Sequence, residues 1–130
     1  MAVPPDVARL LTSEPLMAHL ATCRDGRPHV APVWYVYDES TETVELVTTG
    51  RKLANVRENP RVALSIQKDE GGHARWTVTL LGTATVVDDR EATREATRRI
   101  NAKYGASEDA WDENRLVRVS VGTASSRTYD

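Results

Sequence analysis

A single cysteine, Cys23, occurs in the 130 residues, so no intrachain disulfide can form and a reducing compartment is expected. No apolar run approaches the roughly 20 residues that cross a bilayer as a helix. The stretch from Met1 to Leu16 holds Pro4, Pro5, Asp6, Arg9 and Glu14. It lacks the basic start and apolar centre of a secretory signal, and a cytoplasmic location is the expectation. Charge of one sign is not in excess. The formal net charge of -2 gives no reason to expect a nucleic-acid or membrane partner. No Gly-x-Gly-x-x-Gly supports a dinucleotide fold, and no Gly-x-Ser-x-Gly supports nucleophilic hydrolysis. His19, His29 and His73 fall in different segments without ligand-like spacing, so no metal site is expected.

What is present suits one domain over residues 1–130, with 40% apolar and 28% charged residues. Asp6 to Leu11 predicts a short helix. Leu16 to Cys23 reads as a strand, and Asp25-Gly26 is a hairpin turn. The return strand runs from about Pro28 to Tyr37, with Pro32 marking an edge position or a bulge. Thr43 to Thr49 is a third strand with Val44 and Leu46 on one face. Gly50 breaks it, and Arg51 to Glu58 reads as a short helix ended by Asn59-Pro60. In Arg61 to Gln67, Val62, Leu64 and Ile66 alternate with polar or small residues. A polar loop, Lys68 to His73, precedes a long strand from Arg75 to Val87. Gly82 within it predicts a bulge or a close approach. Asp88 is placed to cap a longer helix, with Glu91 as its capping-box partner. Ala92, Ala96, Ile100 and Tyr104 form the apolar stripe of that helix, and Gly105 ends it. Lys103 falls on this helix, which is placed away from the candidate site. A polar stretch through Trp111 leads to a last strand with Val117, Val119 and Val121 alternating. Six strands with early hairpins and few crossover helices predict an antiparallel sheet that closes on itself.

The segment from Thr48 to Asn55 carries the strongest chemical signal. Arg51 and Lys52 sit where the short helix begins, and the helix dipole disfavours cations there by up to about 1 kcal/mol each. An anion held between them and the helix N-terminus reverses that sign. Thr48 and Thr49 add hydroxyls, and Gly50 permits close approach of the backbone. The plainer alternative is that both cations point into water. Trp76, beside Arg75, suits stacking on a ring or phosphate, and equally a core or interface position.

Several stretches together resemble the pyridoxamine 5′-phosphate oxidase-like superfamily. They are Leu20-Ala21-Thr22, Asp25 to Val30, Pro32 to Tyr35, Thr48-Thr49, Arg51-Lys52, Asn55 to Leu64 and Leu81 to Ala84. The compact length resembles the small flavin/deazaflavin oxidoreductases of that group. The resemblance implies a mainly β fold, a six-stranded antiparallel split β-barrel, and a homodimer with cofactor sites at the interface. It implies FMN or coenzyme F420 as cofactor, F420 being favoured, and hydride transfer to or from a small organic substrate. Arg51 and Lys52 correspond to a pair that contacts the cofactor phosphate, with Thr48 and Thr49 beside them and Asn55 in support. Pro32, Val33 and Trp34 correspond to the strand along the ring system, and Trp76 to a tryptophan of some deazaflavin users. Two departures set the chain apart from true pyridoxamine-phosphate oxidases. Ala31 stands where they carry a phosphate-binding arginine, and their C-terminal Arg-x-Trp is missing. No catalytic residue is assigned. The alternatives are a non-catalytic flavin-binding or sequestering protein and a barrel that serves only as a dimeric scaffold.

Overall fold

The computed structural model describes residues 2–107 and 114–129. The stretch through Trp111 lies outside them. The elements are α1 (Pro5–Ser13), β1 (Ala18–Arg24), β2 (Arg27–Val33), β3 (Val36–Asp38), β4 (Thr43–Thr48), α2 (Gly50–Glu58), β5 (Arg61–Glu70), β6 (His73–Val87), α3 (Arg90–Tyr104) and β7 (Arg115–Thr128). All strand pairs are antiparallel, in the order β2-β1-β5-β6-β7-β4-β3.

That order dictates closure. In a flat sheet, β2 and β3 would lie about 29 Å apart, at roughly 4.8 Å per neighbour. Only Trp34 and Tyr35 join them, and such a link spans no more than about 11 Å. The sheet must therefore curl until its two ends meet, which makes a split barrel. The seam is also where the strand count changes from the expected six to seven. The single strand foreseen from Pro28 to Tyr37 breaks at Trp34-Tyr35, because those residues find partners on α3 in place of a neighbouring strand. The Tyr35 N–H donates to Tyr104 Oη at 3.3 Å, and the Tyr35 carbonyl accepts from Lys103 Nζ at 3.0 Å. Pro32 lies on β2, an edge of the sheet, where its missing N–H costs no ladder bond.

Inward positions fill the barrel. Leu20, Leu64, Ile66, Val78, Leu80, Val44, Leu46, Val117 and Val119 are fully or almost fully buried, and α1 adds Val7 and Leu11 from one end. Tyr35 is also fully buried and donates its hydroxyl to the Leu11 carbonyl at 2.8 Å. Burial pushes its phenol well above the ordinary tyrosine value. β4 is covered on both sides. Glu45 faces outward, where Arg99 of α3 and Arg118 of β7 each hold one of its oxygens at 2.7 Å.

Gly82 shows both features expected of it. The β6–β7 register shifts between Leu81 and Gly82, and a Cβ at Gly82 would lie 2.4 Å from the Ser120 carbonyl oxygen. Two local expectations need correction. The supposed loop from Lys68 to His73 is a continuation of β5 and β6 around a Gly71-Gly72 turn, both at positive φ, the hairpin conformation glycine takes without strain. The helix cap is Asp89, whose Oδ1 accepts from the N–H groups of Glu91 and Ala92. Asp88 instead accepts a bidentate pair from Arg57 at 2.9 and 3.1 Å. No described helix is long and apolar enough to cross a membrane.

Candidate functional site

The seam and the start of α2 lie side by side. Once Tyr35 has turned into the barrel, Trp34 must face the other way, since successive residues of an extended chain alternate. The residue is 40% exposed, and its ring stacks on Tyr104, with centroids 4.7 Å apart and planes 8° from parallel. Tyr104 is in turn fixed by its hydroxyl, which donates to the Leu16 carbonyl at 2.6 Å. Lys103 is not remote from this region. Its Nζ lies 3.6 Å from the Tyr35 ring centroid, a cation–π contact, as well as on the Tyr35 carbonyl. Burial lowers its ammonium to about 8.

The N-terminus of α2 is open to a ligand. Thr49 occupies the cap position in extended conformation but makes no side-chain bond to the helix. Gly50 turns the chain at φ 67°, where glycine avoids the strain a side chain would bring. The first turn contains no acidic residue, so its amide hydrogens keep their partial positive charge without a side-chain acceptor.

A hollow of about 320 Å³ opens between this turn and the seam. β2 and the seam contribute Pro32, Val33 and Trp34; the end of β4 and the α2 turn contribute Thr48, Thr49 and Lys52. The third wall comes from α3, through Thr97, Ile100 and Asn101. One end is thus flat and aromatic, the other cationic and rich in donors. Among the described residues that line it there is no carboxylate, imidazole or thiol.

Six of the nine residues assigned to cofactor binding from sequence meet in this hollow. Arg51 and Asn55 do not. They line a second hollow of about 340 Å³ against Arg24, Asp25, Arg27 and His29 of the β1–β2 hairpin. Asn55 is buried and donates Nδ2 to Thr22 Oγ1 at 3.0 Å, which ties α2 to β1. Trp76 lies in the barrel core, 8% exposed, and lines neither hollow. Thr97 and Asn101 were missed by the sequence reading. They sit on the buried side of α3 with Thr93, one position along from the Ala92, Ala96 and Ile100 stripe. Buried polar residues four apart on a helix were the available signal.

The pyridoxamine 5′-phosphate oxidase family model matches residues 4–126. Among solved structures, an F420 reductase is 26% identical, with 90% of this chain and 94% of that one covered and a TM-score of 0.75. A FAD-binding protein from Mycobacterium smegmatis is 26% identical over 96% and 95% of the two chains, with a TM-score of 0.66. A conserved protein of unknown function from Corynebacterium diphtheriae is 30% identical over 96% and 93%, with a TM-score of 0.68. No curated protein sequence matches the chain.

Proposed function

The chain belongs to the pyridoxamine 5′-phosphate oxidase family, and on that premise we propose that it is an oxidoreductase working with a flavin-type cofactor, F420 in preference to FMN. The observation that carries this reading is the pairing, in one hollow, of the exposed Trp34 face with Lys52 at an uncapped helix start. A flavin-type molecule has the complementary form, a flat ring at one end and a phosphate at the other. The donors fit the group. Lys52, Thr48, Thr49 and the free amides of α2 suit a phosphate, and Pro32, Val33 and Trp34 suit the ring.

The bound cofactor would supply hydride transfer, and the chain's residues bind, orient and exclude water. Ile100 and Val33 keep one wall apolar, while Thr97, whose hydroxyl donates to the Thr93 carbonyl at 2.8 Å, and Asn101, whose Nδ2 donates to the Ser107 carbonyl at 2.6 Å, keep oxygens that can accept from polar ring edges. The lack of a carboxylate, imidazole or thiol leaves no side chain suited to proton transfer near neutral pH among the described lining residues. That same observation favours, as the second reading, a carrier that holds the cofactor without turnover. Titration with FMN and F420 separately, followed by fluorescence, tests binding. Oxidation of the reduced cofactor by a panel of small conjugated acceptors then separates enzyme from carrier. Absence of binding to either cofactor would sink both readings.

We also infer a homodimer. The outer sheet face carries a row of apolar or small residues in register, Val30, Ala21, Ala63 and Leu81 on β2, β1, β5 and β6. Val30 is 65% exposed and Leu81 52%, and such rows usually mark contact surfaces. Light scattering should give twice the chain mass of 14.4 kDa; a value near one chain at micromolar concentration refutes it.

A further inference from the structure

The second hollow has no role in the reading above, and its chemistry is distinct. Three arginines, Arg24, Arg27 and Arg51, line it beside a single acidic residue, Asp25. Arg24 is partly neutralised by Glu58, at 3.2 Å. Arg27 and Arg51 form no ion pair among the described residues. Arg24 and Arg27 are also direct cross-strand partners at the end of the β1–β2 hairpin. Like charges in that relation are destabilising unless something negative lies between them. A separate observation comes from His29. Its Nδ1 is buried and has no hydrogen-bond partner, a condition that buried polar atoms rarely tolerate. An anionic ligand would meet the excess of positive charge, and with its proton on Nδ1 the His29 imidazole would donate to the same anion.

The two hollows share the first turn of α2, with Lys52 lining one and Arg51 the other. We propose that the Arg24–Arg27–Arg51 hollow holds an anionic extension of the cofactor beyond its first phosphate, either a second phosphate or a set of carboxylates. This rests on the flavin-type reading and adds a reason for selectivity. FMN ends at its phosphate and leaves the arginines unused. FAD continues into a second phosphate, and F420 into glutamyl carboxylates.

The test is a set of dissociation constants for FMN, FAD and F420, measured by fluorescence at fixed ionic strength on wild type, Arg27→Ala and Lys52→Ala, with the melting temperature of each. Arg27→Ala should leave FMN within about twofold and weaken FAD or F420 tenfold or more. Whichever is weakened identifies the extension. Lys52→Ala should weaken all three. If Arg27→Ala does not fold, Arg51→Ala answers the same question. Equal weakening of FMN and the extended cofactors overturns the proposal, as does no effect on any of them. Inorganic pyrophosphate is titrated alone as a further arm. Binding of it that depends on Arg27, with no Arg27 effect on any flavin, assigns the hollow to a separate anion and overturns the tether. A wild type that binds none of the three cofactors fails at the flavin reading itself, and the extension falls with it.

Discussion

Replacing Lys52 by alanine is the most direct probe of the proposed cofactor site. The ammonium lines the seam hollow at the start of α2, where no acidic residue and no side-chain cap compete for it. A charge-assisted hydrogen bond to phosphate contributes about 1.5–3 kcal/mol, so the dissociation constant should rise roughly ten- to a hundredfold. Folding should respond in the opposite sense or not at all. Lys52 forms no ion pair among the described residues. Removing a cation from the positive end of a helix relieves up to about 1 kcal/mol. The assay is fluorescence titration of wild type and variant, beside urea denaturation of both without cofactor. Arg98→Ala is the control, since Arg98 is exposed on α3 and lines neither hollow. Lys103 cannot serve as a control because it is bonded to Tyr35, next to Trp34. Equal affinity in wild type and Lys52→Ala would remove the phosphate role. A marked loss of stability in the cofactor-free variant would show that Lys52 is structural.

Gly82→Ala should cost about 1–3 kcal/mol, since its Cβ would lie 2.4 Å from the Ser120 carbonyl oxygen, which is backbone and cannot swing away, and 2.9 Å from Val119 Cγ1. The urea midpoint should fall, and more than for Gly122→Ala, whose Cβ would lie 3.4 Å from the Leu81 carbonyl. Burial alone would raise the Glu45 carboxyl, but hydrogen bonds from Arg118 and Arg99 outweigh it and hold the group below the ordinary 4.5. Its contribution is therefore complete above that value and is lost as pH falls through the lowered one. Glu45→Gln should cost about 1–3 kcal/mol at pH 7, less than the about 3–5 of a wholly buried pair because both arginines remain about half exposed. The gap between the two proteins should close in acid, and a constant gap between pH 7 and 3 would refute the pairing. Lys103 titrates at about 8 in the fold against 10.5 when free. Between those values the unfolded chain binds more protons, so wild type should gain stability relative to Lys103→Met as pH rises through that window. A flat difference there would show that the cation–π contact with Tyr35 cancels the burial.

The barrel was legible where one rule dominates. Val62, Leu64 and Ile66 alternate because one face of β5 is core, and Asp25-Gly26 turns because both residues tolerate positive φ. The seam was not legible. Trp34 and Tyr35 are good strand formers, and nothing local shows that their backbone groups will pair with Lys103 and Tyr104, about 70 positions away. The Asp88 and Asp89 confusion has a similar origin. Both can cap, and only the distant Arg57 decides that Asp88 is already engaged. Trp76 carried two open readings in the sequence, and the depth of the barrel at β6 settled its side chain in the core.

Several of the residues that line the candidate site could be named from the sequence, but their geometry could not, and Arg51 and Lys52 show why. The two were read together as a phosphate pair because they are adjacent in sequence. On a helix, adjacent side chains leave the axis about 100° apart, since 3.6 residues make one turn. They are poorly placed to converge on one small anion from within the same turn, and residues three or four apart are the ones that share a face. The structure follows that rule. Arg51 and Asn55, four apart, line the hairpin hollow, while Lys52 turns toward the seam. On α3 the same spacing puts Thr97 and Asn101 together opposite Lys52. A cation pair at a helix start is thus better suited to two anionic groups than to one, and a cofactor with charge beyond its first phosphate would engage both. Arg51→Ala and Lys52→Ala should therefore be additive on an extended cofactor, while only Lys52→Ala should matter for FMN.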